Sequence, residues 1–120
     1  MQLHDVLTIA DNAISGNRDK PATAIVHDSA DARVIVFRID PGQAVALHKS
    51  TSTVMLSVLR GSGIISGPVA GTVADHEAQV GTVAVYEPGE LHGMHSDTAT
   101  FIVMATITPR PGARPDASHA

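Results

Sequence analysis

From Ala22 onward the sequence leaves no room for helices between its β-prone segments. Short runs rich in Val, Ile and Thr follow one another, and turn residues interrupt them at intervals of roughly 8–12 residues. The expected strands cover residues 24–27, 33–39, 44–48, 54–60, 63–66, 78–80, 83–86, 93–96 and 101–108. The breaks between them include Asp40-Pro41-Gly42, Gly61, residues 67–71, Gly81 and residues 87–90. Parallel strands need crossovers of about a dozen residues or more. The gaps are shorter, so the chain is expected to be all-β, a mostly antiparallel sandwich or barrel.

The segment before Ala22 has a different texture. Leu3, Val6, Leu7, Ala10, Ala13 and Ile14 recur at three- and four-residue steps, which places them on one helical face. Val6, Thr8 and Ile9 are β-branched and weaken the propensity. Ser15-Gly16-Asn17 supplies the stop. The expected organisation is a helical or irregular segment over 1–20, a β domain over 21–108 and a frayed tail over 109–120, rich in Pro, Gly, Ala and Arg.

Composition narrows the function classes. A chain of 120 residues fits one domain. A hydrophobic content of 43% argues against disorder. With no cysteine there is no disulfide framework, thiol nucleophile or Cys-type metal site. A net charge of −4 without a Lys/Arg run argues against nucleic acid as a partner. Phe37, Tyr86 and Phe101 alone make no platform for stacking bases. No apolar run reaches the ~18 residues of a membrane span, and the first residues lack a signal-peptide pattern, so a cytoplasmic location is expected.

Seven histidines are the anomaly. His4, His27 and His76 have no partner at ligand spacing and read as surface or capping residues. His76 falls in the polar stretch Ala74-Asp75-His76-Glu77, read as a loop, and His119 falls in the tail. His48 and His92 differ, because each follows a Pro-Gly turn at the edge of a strand. Neutral imidazole is the commonest transition-metal ligand. Two imidazoles alone make an incomplete site. His95, Glu90 or water could complete it, although the odd offset from His92 puts His95 on the opposite strand face. Other chemistries fail: Gly61-Ser62-Gly63 precedes no helix, no Gly-x-Ser-x-Gly elbow occurs, and Glu77, Glu87 and Glu90 form no evident acid pair.

The spacing of these residues resembles that of the cupins. Gly42, His48, Ser50, Val54 and Gly61 fall in the frame of the first cupin motif. Gly81, Glu87, Gly89, His92 and Ser96 fall in the frame of the second. The resemblance covers roughly Val34 to Ile107. It implies a cupin-type antiparallel β-barrel or double-sheet jelly roll with a short N-terminal helical segment. In metal-binding cupins four side chains hold the ion, and the matching positions here are His48, Ser50, Val54 and His92. Serine and valine have replaced a histidine and a glutamate, as in a subgroup of small bacterial cupins without an assigned reaction. The resemblance also implies a homodimer. An uncovered apolar edge is a liability, which makes the first strands the edge expected to pair across the dyad.

If the imidazoles face inward, strand parity places His48, Ser50, Val54, Leu56, Val58, Met94 and Ser96 in one aliphatic pocket with His92. Three readings follow. One is a module that binds a small, partly apolar molecule. Another is a metal-dependent dioxygenase or isomerase holding a divalent transition metal through His48 and His92. The third is a protein acting through a protein partner, with both histidines structural. If both imidazoles share the cavity, at least one of them should titrate below its usual value.

Overall fold

A computed structural model describes residues 1–111. His119 and most of the expected tail lie outside them. The elements run α1 (Val6–Asn12), β1 (Ala22–Asp28), β2 (Arg33–Ile39), β3 (Ala44–His48), β4 (Thr53–Arg60), β5 (Ser62–Val69), β6 (Thr72–Gln79), β7 (Val83–Tyr86), β8 (His92–His95) and β9 (Phe101–Thr108). They form a five-stranded sheet in the order β1-β2-β9-β4-β7 and a four-stranded sheet in the order β3-β8-β5-β6. Every pairing is antiparallel. This is a jelly roll, the double-sheet form of the expected architecture. It is not a closed barrel: among the described residues no ladder joins the two sheets. The chain turns from β6 into β7 through Gly81, and the two strands then diverge into different sheets.

The core lies between the sheets. Phe101, Ile39, Leu56, Val54 and Val103 are its most enclosed large side chains. Alternation explains the assignment: in β4, Val54, Leu56 and Val58 are buried while their neighbours are only partly so. A second, smaller cluster sits on the outer face of the five-stranded sheet, where Ala10 of α1 meets Val36 and Ile102.

Helix α1 is shorter than its apolar periodicity suggests. A helix of seven residues has little stability of its own. It is held at both ends instead. The Asp5 carboxylate accepts from the Thr8 N–H at 3.2 Å, and this bond holds the Asp5 carboxyl below its usual range. At the other end the Arg38 guanidinium donates to the carbonyls of Ala10, Asp11 and Ala13 at 2.6, 3.1 and 3.1 Å. Leu3 and Ile14, counted on the apolar face, lie outside the helix and are 85% and 89% exposed.

The largest departure from expectation is β6. The stretch containing His76 is strand rather than polar loop, and Ile65 of β5 pairs with His76. As the outermost strand of its sheet, β6 buries only Ala78, so its sequence carries little hydrophobic alternation.

Candidate functional site

Strands β3 and β8 bring the two histidines together. In their ladder Ala44 pairs with His95, Val45 with Met94 and His48 with His92. Three residues of β3 thus span the distance that two of β8 cover, so a bulge lies at Ala46 and Leu47. Without it Leu47 would oppose His92. The bulge turns Leu47 outward, where it is 48% exposed, and brings His48 opposite His92. Gly93 permits the close approach. A Cβ there would lie 2.9 Å from the Val45 carbonyl oxygen and 3.2 Å from the Leu47 nitrogen.

The imidazole rings of His48 and His92 are 4.0 Å apart, centroid to centroid, and inclined at 57°. Both are oriented by their own backbone. His48 Nδ1 is 2.9 Å from the Ala46 carbonyl oxygen, and His92 Nδ1 is 3.2 Å from that of Glu90. A carbonyl only accepts, so in the neutral rings each Nδ1 carries the proton and each Nε2 keeps its lone pair. The pair is asymmetric in environment: His92 is buried and His48 is exposed. Burial lowers the His92 pKa, and the neighbouring His48 lowers it further, against the raising effect of the Glu90 carbonyl.

The residues expected to share this pocket are placed as follows. Ser50 is buried, and its hydroxyl accepts from the Ser52 N–H at 3.0 Å. Its carbonyl accepts from the Gly89 N–H at 2.8 Å, joining the two loops that precede β4 and β8. Val54, Leu56, Val58 and Met94 are packed together in the main core. Ser96 is buried and directs its hydroxyl to the Ala99 carbonyl. His95 faces away from His92, with Nε2 3.8 Å from a carboxylate oxygen of Asp97.

Tyr86, which the motif spacing does not mark, and Glu90, a candidate third ligand by sequence, belong to the same neighbourhood. The Tyr86 ring is 5.1 Å from that of His92, and its hydroxyl donates to the Ser66 carbonyl at 2.9 Å. Burial, with a contribution from the Glu90 charge, pushes the phenol up to about 12. It lies against Gly67, where a Cβ would approach the ring to 2.4 Å. One signal for Tyr86 was present: it shares the inward parity of Ala84 and directly precedes the Glu87-Pro88-Gly89 turn.

Two clefts open on the described residues, and neither is lined by His48 or His92. One cleft of ≈ 580 Å³ is polar, with Ser62, Gln79, Thr82, Asp97 and Thr98 on its walls. A second of ≈ 270 Å³ opens between β6 and β7 and includes Tyr86 and Glu90.

The donor set does not fit a resident metal ion. Among the described residues no three His, Cys, Asp or Glu side chains converge on one point. At the four positions of the cupin motifs only His48 and His92 are imidazoles, and no carboxylate offsets a divalent charge.

Comparison with known structures defines the fold class. The chain is similar to a conserved double-stranded β-helix protein from Klebsiella pneumoniae, at 24% identity and a TM-score of 0.72, over 92% of this chain and 91% of that one. It is equally similar to an RmlC-like cupin from Desulfovibrio desulfuricans, at 25% identity and a TM-score of 0.72, over 91% and 97% of the two chains. A variant of Bacillus subtilis oxalate decarboxylase matches at 12% identity and a TM-score of 0.70, with 83% of this chain covering 28% of the enzyme. No family model matches, and no curated protein matches at a significant level. The protein therefore has the cupin fold. More particularly, it is a small RmlC-like double-stranded β-helix of 120 residues. No helix among the described residues is long and apolar enough to cross a membrane.

Proposed function

We propose that this chain binds a small, partly apolar molecule through the His48–His92 pair, without a resident metal. One observation carries the reading. Both rings give their Nδ1 protons to backbone carbonyls, so two Nε2 lone pairs are held on adjacent rings 4.0 Å apart. Such a pair accepts two hydrogen bonds from one ligand, for example from adjacent hydroxyl or amine groups. The buried position of His92 strengthens its bond by excluding competing water. Metal-dependent dioxygenase or isomerase chemistry through the same imidazoles would need further ligands, and Ser50 and Val54 do not supply them.

The test uses nitrogen NMR of both imidazoles with catechol as the probe and its dimethyl ether as the control. Catechol should shift both Nε2 signals, and the ether, which has no donor, should shift neither. Equal responses to the two compounds, or none to catechol, would remove the hydrogen-bonding role.

We propose in addition that a second copy of the chain pairs along β1. It is the outer strand of its sheet, and its Ile25 is 58% exposed. Light scattering should give the mass of a dimer, and a monomer would refute the pairing.

A further inference from the structure

We propose that the wedge between β6 and β7 is a second binding site, one that takes a small organic cation: an apolar body carrying one ammonium group. This goes beyond the imidazole site and does not depend on it.

The wedge follows from the topology. Strands β6 and β7 are consecutive in the chain, yet they are the outer strands of different sheets. They leave a common turn, in which the Thr82 N–H donates to the Gln79 carbonyl at 2.9 Å, and then separate. Large side chains would fill the gap. Instead the inward positions beside the turn are Ala78 and Ala84, and the result is a cleft of ≈ 270 Å³. That is just under the ~300–1,000 Å³ usual for ligand sites, so the occupant is small.

The walls specify its chemistry. Ile65, Ala78 and Ala84 present hydrocarbon, and Tyr86 closes the end nearest His92. The phenol is already committed to the Ser66 carbonyl, so it contributes a face rather than a donor. The charged groups on the walls are two carboxylates, Glu77 and Glu90, and no Lys or Arg lines the cleft. Glu90 is anchored, because its Oε1 accepts from the Glu87 N–H at 2.7 Å. His76, paired with inward-facing Ile65 across the β5–β6 ladder, adds an imidazole on the opposite wall. An anionic ligand would meet two like charges. A neutral apolar ligand would remove water from the Glu90 carboxylate and return nothing. An ammonium group satisfies the carboxylate while its alkyl body covers the alanines.

The experiment titrates the whole chain with hexylammonium, hexan-1-ol and hexanoate, read by amide NMR. Hexylammonium should shift Ala78, Ala84 and Tyr86, the alcohol should bind several-fold more weakly, and hexanoate should not bind. Glu90→Gln can keep the bond to Glu87 while removing the charge, and should weaken hexylammonium roughly tenfold without changing the alcohol. Ala84→Leu fills the cleft and should abolish both. If Ala84→Leu fails to fold, the Glu90→Gln comparison decides alone. Equal affinity for ammonium and alcohol, an unchanged Glu90→Gln titration, or shifts clustered at His48 and His92 instead of Ala84 would each overturn the proposal.

Discussion

His48 and His92, separated by 44 positions in sequence, stand opposite one another in the β3–β8 ladder with their rings 4.0 Å apart. The register that joins them depends on a bulge, and Gly93 lies in close contact with the bulged backbone. Both imidazoles are turned by the carbonyl two residues before them, so their free nitrogens are set by the backbone.

Gly93→Ala should therefore disturb the pair while leaving the jelly roll intact. The added methyl would sit 2.9 Å from the Val45 carbonyl oxygen, and backbone cannot move aside as a side chain can. Overpacking of this kind costs about 1–3 kcal/mol. Urea unfolding should show that loss, and the His48 and His92 ring signals should move together. Unchanged stability and unchanged ring signals would mean that the strands do not approach as described.

The lowered His92 pKa has a definite consequence for stability. An unfolded histidine titrates near ~6.5. Below that value the unfolded chain takes up a proton that the folded chain resists, so stability falls as pH falls. Above it both states are neutral and the contribution is flat. Unfolding at pH 7.5 and at 5.5 should show the native protein losing stability on acidification, and His92→Gln should show a smaller loss. NMR titration should place His92 below the usual histidine value. An equal slope in the variant would detach the effect from His92.

Tyr86 offers a clean optical test, because it is the single tyrosine in a chain without tryptophan. Its absorbance should change near pH 12 rather than near 10, since burial holds the phenol neutral. Tyr86→Phe removes the bond to the Ser66 carbonyl and should cost about 1–2 kcal/mol in urea unfolding. Ionisation near 10 in the folded protein would contradict the burial.

Arg38→Met tests what holds α1. Three terminal carbonyls lose their donor, while the aliphatic stem is largely kept. Hydrogen bonds to charged groups are worth about 1.5–3 kcal/mol, and Arg38 is partly exposed, so the lower part of that range is expected. Amide exchange should quicken in α1 and stay unchanged in β4 and β9. A uniform acceleration across the sheets would show that the helix is not an independent addition.

The sequence disclosed the strands whose patterning is local. Residues 33–39, 44–48, 83–86 and 101–108 coincide with β2, β3, β7 and β9. Strand β6 was hidden because an outer strand that buries only Ala78 keeps a polar sequence around His76. The site was legible as far as the motif spacing extends, which gave His48 and His92. Within β3 the alternation is interrupted: Val45 packs against the core, and the bulge between Val45 and His48 sets His48 opposite His92. A bulge depends on a partner strand that local sequence does not display. Tyr86 was missed for the same reason, since its relation to His92 is made by strands from both sheets.

The most direct measurement of the central claim is elemental analysis of untagged protein after incubation with Fe, Mn, Zn, Ni and Cu salts and desalting. Two imidazoles without a carboxylate should retain far less than one ion per chain, and His48→Ala/His92→Ala should not change the result. Near-stoichiometric metal in the native protein, lost in the double variant, would contradict a metal-free binding pair.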